Sequence, residues 1–410
     1  MKKCFLISMV VIFSTIFISC NNSEMKQDET NNMGVVEKEF EQIVEESIEG
    51  YEEKQLNLNN YSLKNGYRDT ANTTFLWFEM AYSDDGYYFE NERSYLSFMD
   101  KVSGKVVPLC NKAECMHYNE ANESYYNKEC NAYFDSSFHL EFLQYYDGYL
   151  YTLAYDREGS VYLYKISEDG SSREKYMTLY KQELSGANGM TEYRFPEICI
   201  HRGYVYYTIP FAEYPKLYRI KLGGDTSEVL FELKGERGNM YRIRPYGDFV
   251  FFQAGHFVDE KMTDINAGIF AYNINNGELT MAKNNSVSTY TLVGNIMYHS
   301  DSTGIYKRDL TTNTDDKIIN LDDWIGFSVD SNYVYVEQER SIVCIYNTDG
   351  EYVCEIEPLS GQRISSLHYG DENYLFAEST IGENDEQIVR CTYLKISDIA
   401  EGKAKWQYSE

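Results

Sequence analysis

Three cysteines and a histidine lie near one another in the chain: Cys110, Cys115, His117 and Cys130, with the spacing Cys-x4-Cys-x-His-x12-Cys. Thiolate sulfur and imidazole nitrogen are the ligands that Zn²⁺ takes in structural sites, and four of them complete a tetrahedron without an open position. If these four side chains converge, they are therefore expected to hold a structural zinc ion.

Two alternatives use the same residues differently. In an exported protein, two of the three cysteines can form a disulfide and leave the third thiol spare, or all three can stay free. The spacing contains no paired Cys-x2-Cys. The segment resembles an insertion found in lipoproteins of anaerobic Gram-positive bacteria, and this resemblance implies no role for it.

The insertion, residues 108–134, interrupts a repeat that positions it. Each copy is a polar or glycine-containing turn followed by a short apolar run that ends on an aromatic residue, and the seven copies are 85–89, 147–151, 202–206, 247–251, 294–298, 331–335 and 372–376. Copies that recur every ~40–60 residues, with several strands and no helix in each, are typical of β-propeller blades.

Each copy is followed by a partner strand such as Val161–Ile166, Lys216–Ile220 or Gly304–Arg308. Glycines in turns such as Glu168–Gly170 and Thr348–Gly350 predict hairpins. The runs 75–80 and 365–369 supply an innermost strand. The sequence thus predicts an all-β fold, a seven-bladed propeller of four-stranded antiparallel blades, over residues 72–408.

The Asp-Gly-Tyr-x-Tyr turn and the Leu-Tyr-Arg-Ile strand resemble the repeats of the bacterial propeller family called domain of unknown function 5050. They are more distantly similar to the YWTD propellers of lipoprotein receptors. The resemblance covers most of the chain and implies the propeller architecture. It implies no activity, because propellers host enzymes, receptors and scaffolds alike.

The amino terminus predicts export and lipidation. Lys2 and Lys3 precede an apolar run that is too short to span a membrane comfortably, so residues 1–19 are expected to be a lipoprotein signal peptide. Cys20 would then carry the acyl chains, with an ordinary cleaved signal as the alternative. Residues 20–34 are polar and predict a disordered tether. The protein is expected on the extracytoplasmic face of the cell membrane, held there by the lipid alone.

Residues 35–58 combine apolar residues at helical spacing with many glutamates, which predicts an acidic amphipathic helix and linker. Such a helix would dock a partner or cap the propeller. A solvated stalk with a weak apolar stripe is the other interpretation.

Charge and motifs limit the function. The chain has 65 acidic and 37 basic residues, a formal charge of −28, so it would repel nucleic acid. The sequence contains no Gly-x-Ser-x-Gly, no His-Glu-x-x-His and no P-loop. We therefore expect a monomeric, non-catalytic binding or scaffold module for a glycan, a peptide or an envelope protein. The alternatives are a carbohydrate-active lyase or hydrolase that uses the channel mouth, and a sensor or assembly factor of the envelope.

The remaining strand cysteines are expected to be buried hydrophobes. For one pair, a three-residue hairpin loop ending at Gly350 places Asn347 opposite Glu351. Counting outward then predicts Cys344 opposite Cys354, both reduced.

Overall fold

The computed structural model describes residues 45–46, 51–58, 80–91, 95–117, 127–135, 138–156, 158–182, 196–209, 214–234, 238–257, 265–284, 287–321, 324–338, 341–382 and 388–409. Its strands form seven sheets in a ring, and each sheet contains a blade of four antiparallel strands that are consecutive in the chain; the sheet of the third blade gains a fifth strand, paired in parallel, from the segment before the propeller. The predicted seven-bladed β-propeller is confirmed.

The first strand, β1 (Glu45–Glu46), precedes the blades. Blades 1 to 3 contain, in order, β2 (Met80–Tyr82), β3 (Gly86–Asn91), β4 (Tyr95–Asp100) and β5 (Val106–Pro108); β6 (Phe138–Tyr146), β7 (Tyr149–Tyr155), β8 (Ser160–Ser167) and β9 (Arg173–Lys181); and β10 (Glu197–His201), β11 (Tyr204–Thr208), β12 (Lys216–Lys221) and β13 (Ser227–Leu233).

Blades 4 and 5 contain β14 (Gly238–Tyr246), β15 (Phe249–Phe257), β16 (Ile265–Asn273) and β17 (Leu279–Asn284), then β18 (Thr289–Val293), β19 (Ile296–Asp301), β20 (Gly304–Asp309) and β21 (Thr314–Asn320). Blades 6 and 7 contain β22 (Trp324–Val329), β23 (Tyr333–Gln338), β24 (Val343–Asn347) and β25 (Tyr352–Ile356), then β26 (Gln362–Tyr369), β27 (Tyr374–Ile381), β28 (Ile388–Lys395), helix α1 (Ser397–Ala400) and β29 (Gln407–Tyr408).

The seven sequence repeats coincide with the second strand of every blade. Alternate residues along these strands pack between neighbouring blades. Blade 7 closes the ring against blade 1. There the ring of Tyr87 lies 4.9 Å from that of Phe376, and Lys101 Nζ lies 2.5 Å from the buried Asp371 Oδ2. Aromatic packing and a buried ion pair thus hold the two ends of the propeller together.

The hairpin prediction is half correct. Gly350 has a φ of +87°, and the backbone N–H of Asn347 donates to Glu351 O at 2.9 Å, as predicted. A β-bulge then shifts the register, so that Cys354 lies opposite Ile345 and Cys344 lies opposite Glu355. The predicted Cys344–Cys354 pairing is wrong, because the bulge puts the two side chains on opposite faces of the sheet. Both cysteines are free.

Of the predicted helix and linker over 35–58, the structure describes residues 45–46 and 51–58. Residues 45–46 are β1, which pairs in parallel with the outer edge strand β13 and is not helical, and residues 51–58 contain no helix, as a linker allows. The unpaired backbone groups of a sheet edge attract an extended chain, which local periodicity cannot reveal. The rest of 35–58, the signal peptide 1–19, Cys20 and the tether 20–34 lie outside the described residues.

Residues 51–58, called the strap below, lie between blades 4 and 5, where Leu56 and Leu58 are buried. The sole described helix, α1, has four residues. Nothing helical in the described chain is long and apolar enough to cross a bilayer.

Candidate metal centre

Two tight turns present the sulfur atoms of the insertion. The backbone N–H of Cys115 donates to Lys112 O at 3.1 Å, and the backbone N–H of Cys130 donates to Asn127 O at 3.0 Å. Each cysteine therefore closes a turn of its own. The side chain of Lys112 donates to Glu129 O and so connects one turn to the other.

Blade 1 brings the two ends of the insertion together. The backbone N–H of Leu96, in β4, donates to Ala132 O at 2.9 Å, and the carbonyl of Leu96 accepts from the N–H of Leu109 at 2.8 Å. The chain thus leaves and rejoins the propeller beside the same residue. Cys110 and Cys130 become neighbours for this reason, although they are far apart in sequence.

Blade 2 holds the insertion from the other side through its β8–β9 turn. Asn111 Nδ2 donates to Asp169 Oδ2 at 2.8 Å, and Asn131 Nδ2 donates to Gly170 O at 2.9 Å. Gly170 has a φ of +69°, and a Cβ there would lie 2.3 Å from Leu109 O. The insertion is therefore packed into the joint between blades 1 and 2.

The four predicted donors converge. One ligand atom each from Cys110, Cys115, His117 and Cys130 lies within 4.8 Å of all the others, and Cys130 Sγ lies 3.5 Å from His117 Nδ1. Two ligands at ~2.3 Å (S) and ~2.0–2.1 Å (N) from one tetrahedral Zn²⁺ would be ~3.5–3.6 Å apart. The three cysteines are free, and the cluster could hold a metal ion.

Burial and hydrogen bonding act on the three thiols in opposite directions. Burial, together with the thiols of Cys115 and Cys110, raises the pKa of Cys130 to about 12. Burial would also raise the pKa of Cys110, but the backbone N–H groups of Lys112 and Asn131 favour its thiolate, and the pKa falls below the usual value. Several thiolates in one place would repel one another, so a cation would stabilise all of them.

Asn127 contacts the cluster next to the donor Cys115. Its Nδ2 lies 3.8 Å from Cys115 Sγ and donates to Met116 O at 2.9 Å, while its backbone N–H donates to the hydroxyl of Tyr95 at 2.9 Å. Contacts of this kind orient metal ligands and raise metal affinity. They tie the cluster to the buried end of β4.

The other cysteines and histidines mostly behave as predicted. Cys199 and Cys391 are buried in strands β10 and β28, with 3% and 1% of their surface exposed, while Cys354 is only half-buried. His201 Nε2 lies 2.6 Å from Gly247 O across the joint of blades 3 and 4. These residues serve packing.

A second polar cluster, which the sequence did not predict, lies at the joint of blades 4 and 5. Asp315 accepts from His299 Nε2 at 2.7 Å, from Lys283 Nζ at 2.6 Å and from Arg308 Nη1 at 3.1 Å. Arg308 Nη2 also donates to Glu53 Oε2, in the strap, at 2.6 Å. We call Glu53, Lys283, His299, Arg308 and Asp315 the ion cluster.

Burial would raise the pKa of Asp315, but the hydrogen bonds from His299 and Lys283 outweigh it and hold the pKa well below its usual value. Burial lowers the pKa of His299 despite its bond to Asp315, and its ring stacks 5.1 Å from that of Tyr306. No spacing signal marks these residues, because they come from four strands and the strap.

No protein-family model matches the sequence, and no curated protein matches it significantly. Among solved structures, one from work on two prolyl endopeptidases is 12% identical, with 82% of this chain and 50% of that chain covered and a TM-score of 0.54. Puromycin hydrolase is 10% identical, with 87% and 56% covered and a TM-score of 0.51.

The chain spans about half the length of these two structures. At such identities the likeness shows the propeller fold alone. The resemblance to domain of unknown function 5050 and to YWTD propellers stays a prediction.

Proposed function

We propose that this chain is a lipid-anchored, extracytoplasmic β-propeller that acts as a non-catalytic binding or scaffold module. In it, Cys110, Cys115, His117 and Cys130 hold a structural Zn²⁺ at the joint of blades 1 and 2. The observation that supports the zinc site is the convergence of four protein donors, all within 4.8 Å of one another.

The donor set favours zinc over other ions because sulfur and nitrogen ligands in a tetrahedral arrangement suit Zn²⁺, whereas Mg²⁺ and Ca²⁺ prefer oxygen. It also favours a structural role, since a catalytic zinc keeps one position open for water or substrate. The metal would fix the insertion as a rigid surface. On it Met116, between two ligands and 78% exposed, is available to a partner.

Metal analysis of the purified protein tests the site. We expect about one zinc per chain, lost in His117→Ala and kept in the control His256→Ala, a histidine of blade 4. A disulfide between two of the cysteines would leave His117 without a role. Three titratable free thiols without metal would refute both cross-linked forms.

A glycan and peptide array tests the binding function. We expect saturable binding of one ligand class by the intact protein, and weaker binding by Met116→Ala, which keeps all four metal donors. Release of cleaved oligosaccharides or peptides from the array would overturn the non-catalytic assignment in favour of an enzyme.

The anchor at Cys20 is tested separately. Cys20→Ala should abolish labelling by a fatty-acid analogue and leave the signal peptide uncleaved, because the thiol is the attachment site. Equal labelling of the variant and the wild type would contradict the anchor without affecting the zinc site.

A further inference from the structure

The strap is bound to the propeller in the way that a peptide is bound to a receptor. It belongs to no blade, and it lies in a groove whose walls are the outer strands of blade 4 and the second and third strands of blade 5. The groove contacts the strap in three ways: through its backbone, through apolar side chains and through one carboxylate.

The strap donates backbone hydrogen bonds from every second residue, and Glu53 forms one parallel bridge with Met281 at the edge of β17. The N–H groups of Lys54, Leu56 and Leu58 donate to groups on both blades, which are Met281 O at 3.0 Å, Leu310 O at 2.7 Å and Asn295 Oδ1 at 2.6 Å. These bonds fix the register of the strap.

Three apolar side chains anchor the strap. Leu56 and Leu58 are 7% and 2% exposed and pack into the core shared by blades 4 and 5. The ring of Tyr51 meets that of Phe270 edge to face, with 5.2 Å between the ring centres. Alternate residues between these anchors face solvent, including Glu52 and Asn57.

The groove also binds a carboxylate through charged and backbone groups. Glu53 Oε2 accepts from Arg308 Nη2 at 2.6 Å, and Glu53 Oε1 accepts from the backbone N–H of Asn284 at 2.6 Å. The side chain of Arg308 is only 3% exposed. Lys283 and Arg308 bring two positive charges, and Asp315 balances one of them. Without Glu53, a buried cation would be left uncompensated.

We propose that the groove between blades 4 and 5 is a peptide-binding site with the recognition pattern aromatic-x-Glu-x-x-Leu-x-Leu. Residues 51–58 are its resident ligand. The segment that leads to the amino terminus is thus held as a bound peptide, and the site stands independently of the metal centre.

The full chain with a protease site placed in residues 59–79 tests this. After folding and cleavage, a labelled peptide of residues 45–58 should exchange with the cleaved strap and bind with a 1:1 stoichiometry. The Glu53→Gln peptide should bind at least about tenfold more weakly, since it loses a charge-assisted bond. The matched Glu52→Gln peptide should bind like the wild type.

Equal affinities of the two variant peptides would overturn the proposal. Loss of the cleaved strap without uptake of the labelled peptide would overturn it as well. If the cleaved chain does not stay folded, the intact chain decides: Glu53→Gln should melt at a lower temperature than Glu52→Gln, and equal melting temperatures would contradict the site.

Discussion

Two segments outside the repeat are fixed to the propeller at blade joints, and they are fixed by different chemistry. The insertion, at blades 1 and 2, gathers three sulfurs and an imidazole within 4.8 Å. The strap, at blades 4 and 5, brings Glu53 to Arg308 and completes an ion cluster. The strap joint contains both signs of charge, whereas the insertion gathers donors that could hold an added cation.

The two joints differ in the contacts that fix the added segment to the propeller. Neighbouring blades pack through apolar faces that the repeat supplies. The strap and the insertion bury only a few apolar residues, such as Leu56 and Leu109, and polar or ionic contacts add to these in fixing each segment. The ion cluster is complete within the chain. The Cys/His cluster could hold a metal ion, and in the proposed zinc form its stability should depend on the metal supply and on the pH.

The largest expected effect follows from removing one sulfur. Cys130→Ser should reduce the metal content from about one per chain to below about one tenth, because a buried zinc site loses a ligand. The control is Cys354→Ser, which replaces a half-buried strand cysteine outside the cluster and should keep the metal. Elemental analysis checks both, and a fully loaded Cys130→Ser protein would break the comparison.

Acid should separate the two joints. Metal ligands must be deprotonated to bind, so protons compete with the metal for the Cys/His cluster and the metal should be released as the solution is acidified. Asp315 has a folded pKa below its unfolded value. Its contribution is therefore fully present above about pH 4 and is lost only as the pH falls through the lower folded pKa.

A chelating dye measures metal release in this titration, and the stability difference between wild type and Arg308→Met reports on the ion cluster. As the pH falls from 7 to about 5, we expect the metal signal to change. The stability difference should change only through His299, whose pKa Arg308 lowers, because Asp315 keeps its charge over this range. Parallel loss of both would show that the two joints are not distinct.

Breaking the ion cluster is expected to have the next largest effect, and the quantity that it lowers is the free energy of unfolding. Arg308→Met leaves Glu53 without its cation and should lower the free energy of unfolding by about 3–5 kcal/mol. The neighbouring Lys307→Met, which removes a pair with the exposed Asp349, should cost less than about 1 kcal/mol. Chemical denaturation measures both losses of unfolding free energy. Similar losses would contradict the stabilising role of the buried ion cluster.

The smallest effect concerns the turn that supports the insertion. Gly170→Ala would place a methyl group against Leu109 O and should cost about 1–3 kcal/mol through overpacking, beyond the strain of a positive φ. Gly203→Ala has a φ of +83° with nothing within 4 Å of the added Cβ, so it isolates the strain alone. Equal losses in thermal unfolding would mean that blade 2 does not hold the insertion.

The sequence predicted the blades because each repeat copy is an alternating strand beside a turn, and both signals are local. It predicted the donors because cysteine and histidine are rare enough for their spacing to be noticed. Glu53 and Arg308 gave no such signal, since they are distant in the chain and Glu53 is one of 65 acidic residues. Only the packed fold brings them together.

Tertiary contacts also override two local patterns. The apolar residues before the propeller have helical spacing, yet Glu45 and Glu46 pair with the open edge of β13. The hairpin at Gly350 has the predicted turn, yet a bulge beyond it separates Cys344 from Cys354. Neither an open edge nor a bulge leaves a pattern in the local sequence.

Zinc K-edge X-ray absorption of the purified protein tests the central claim most directly. We expect one zinc per chain with three sulfurs at about 2.3 Å and one nitrogen at about 2.0–2.1 Å. A zinc-free protein with a disulfide between two of Cys110, Cys115 and Cys130 would contradict it.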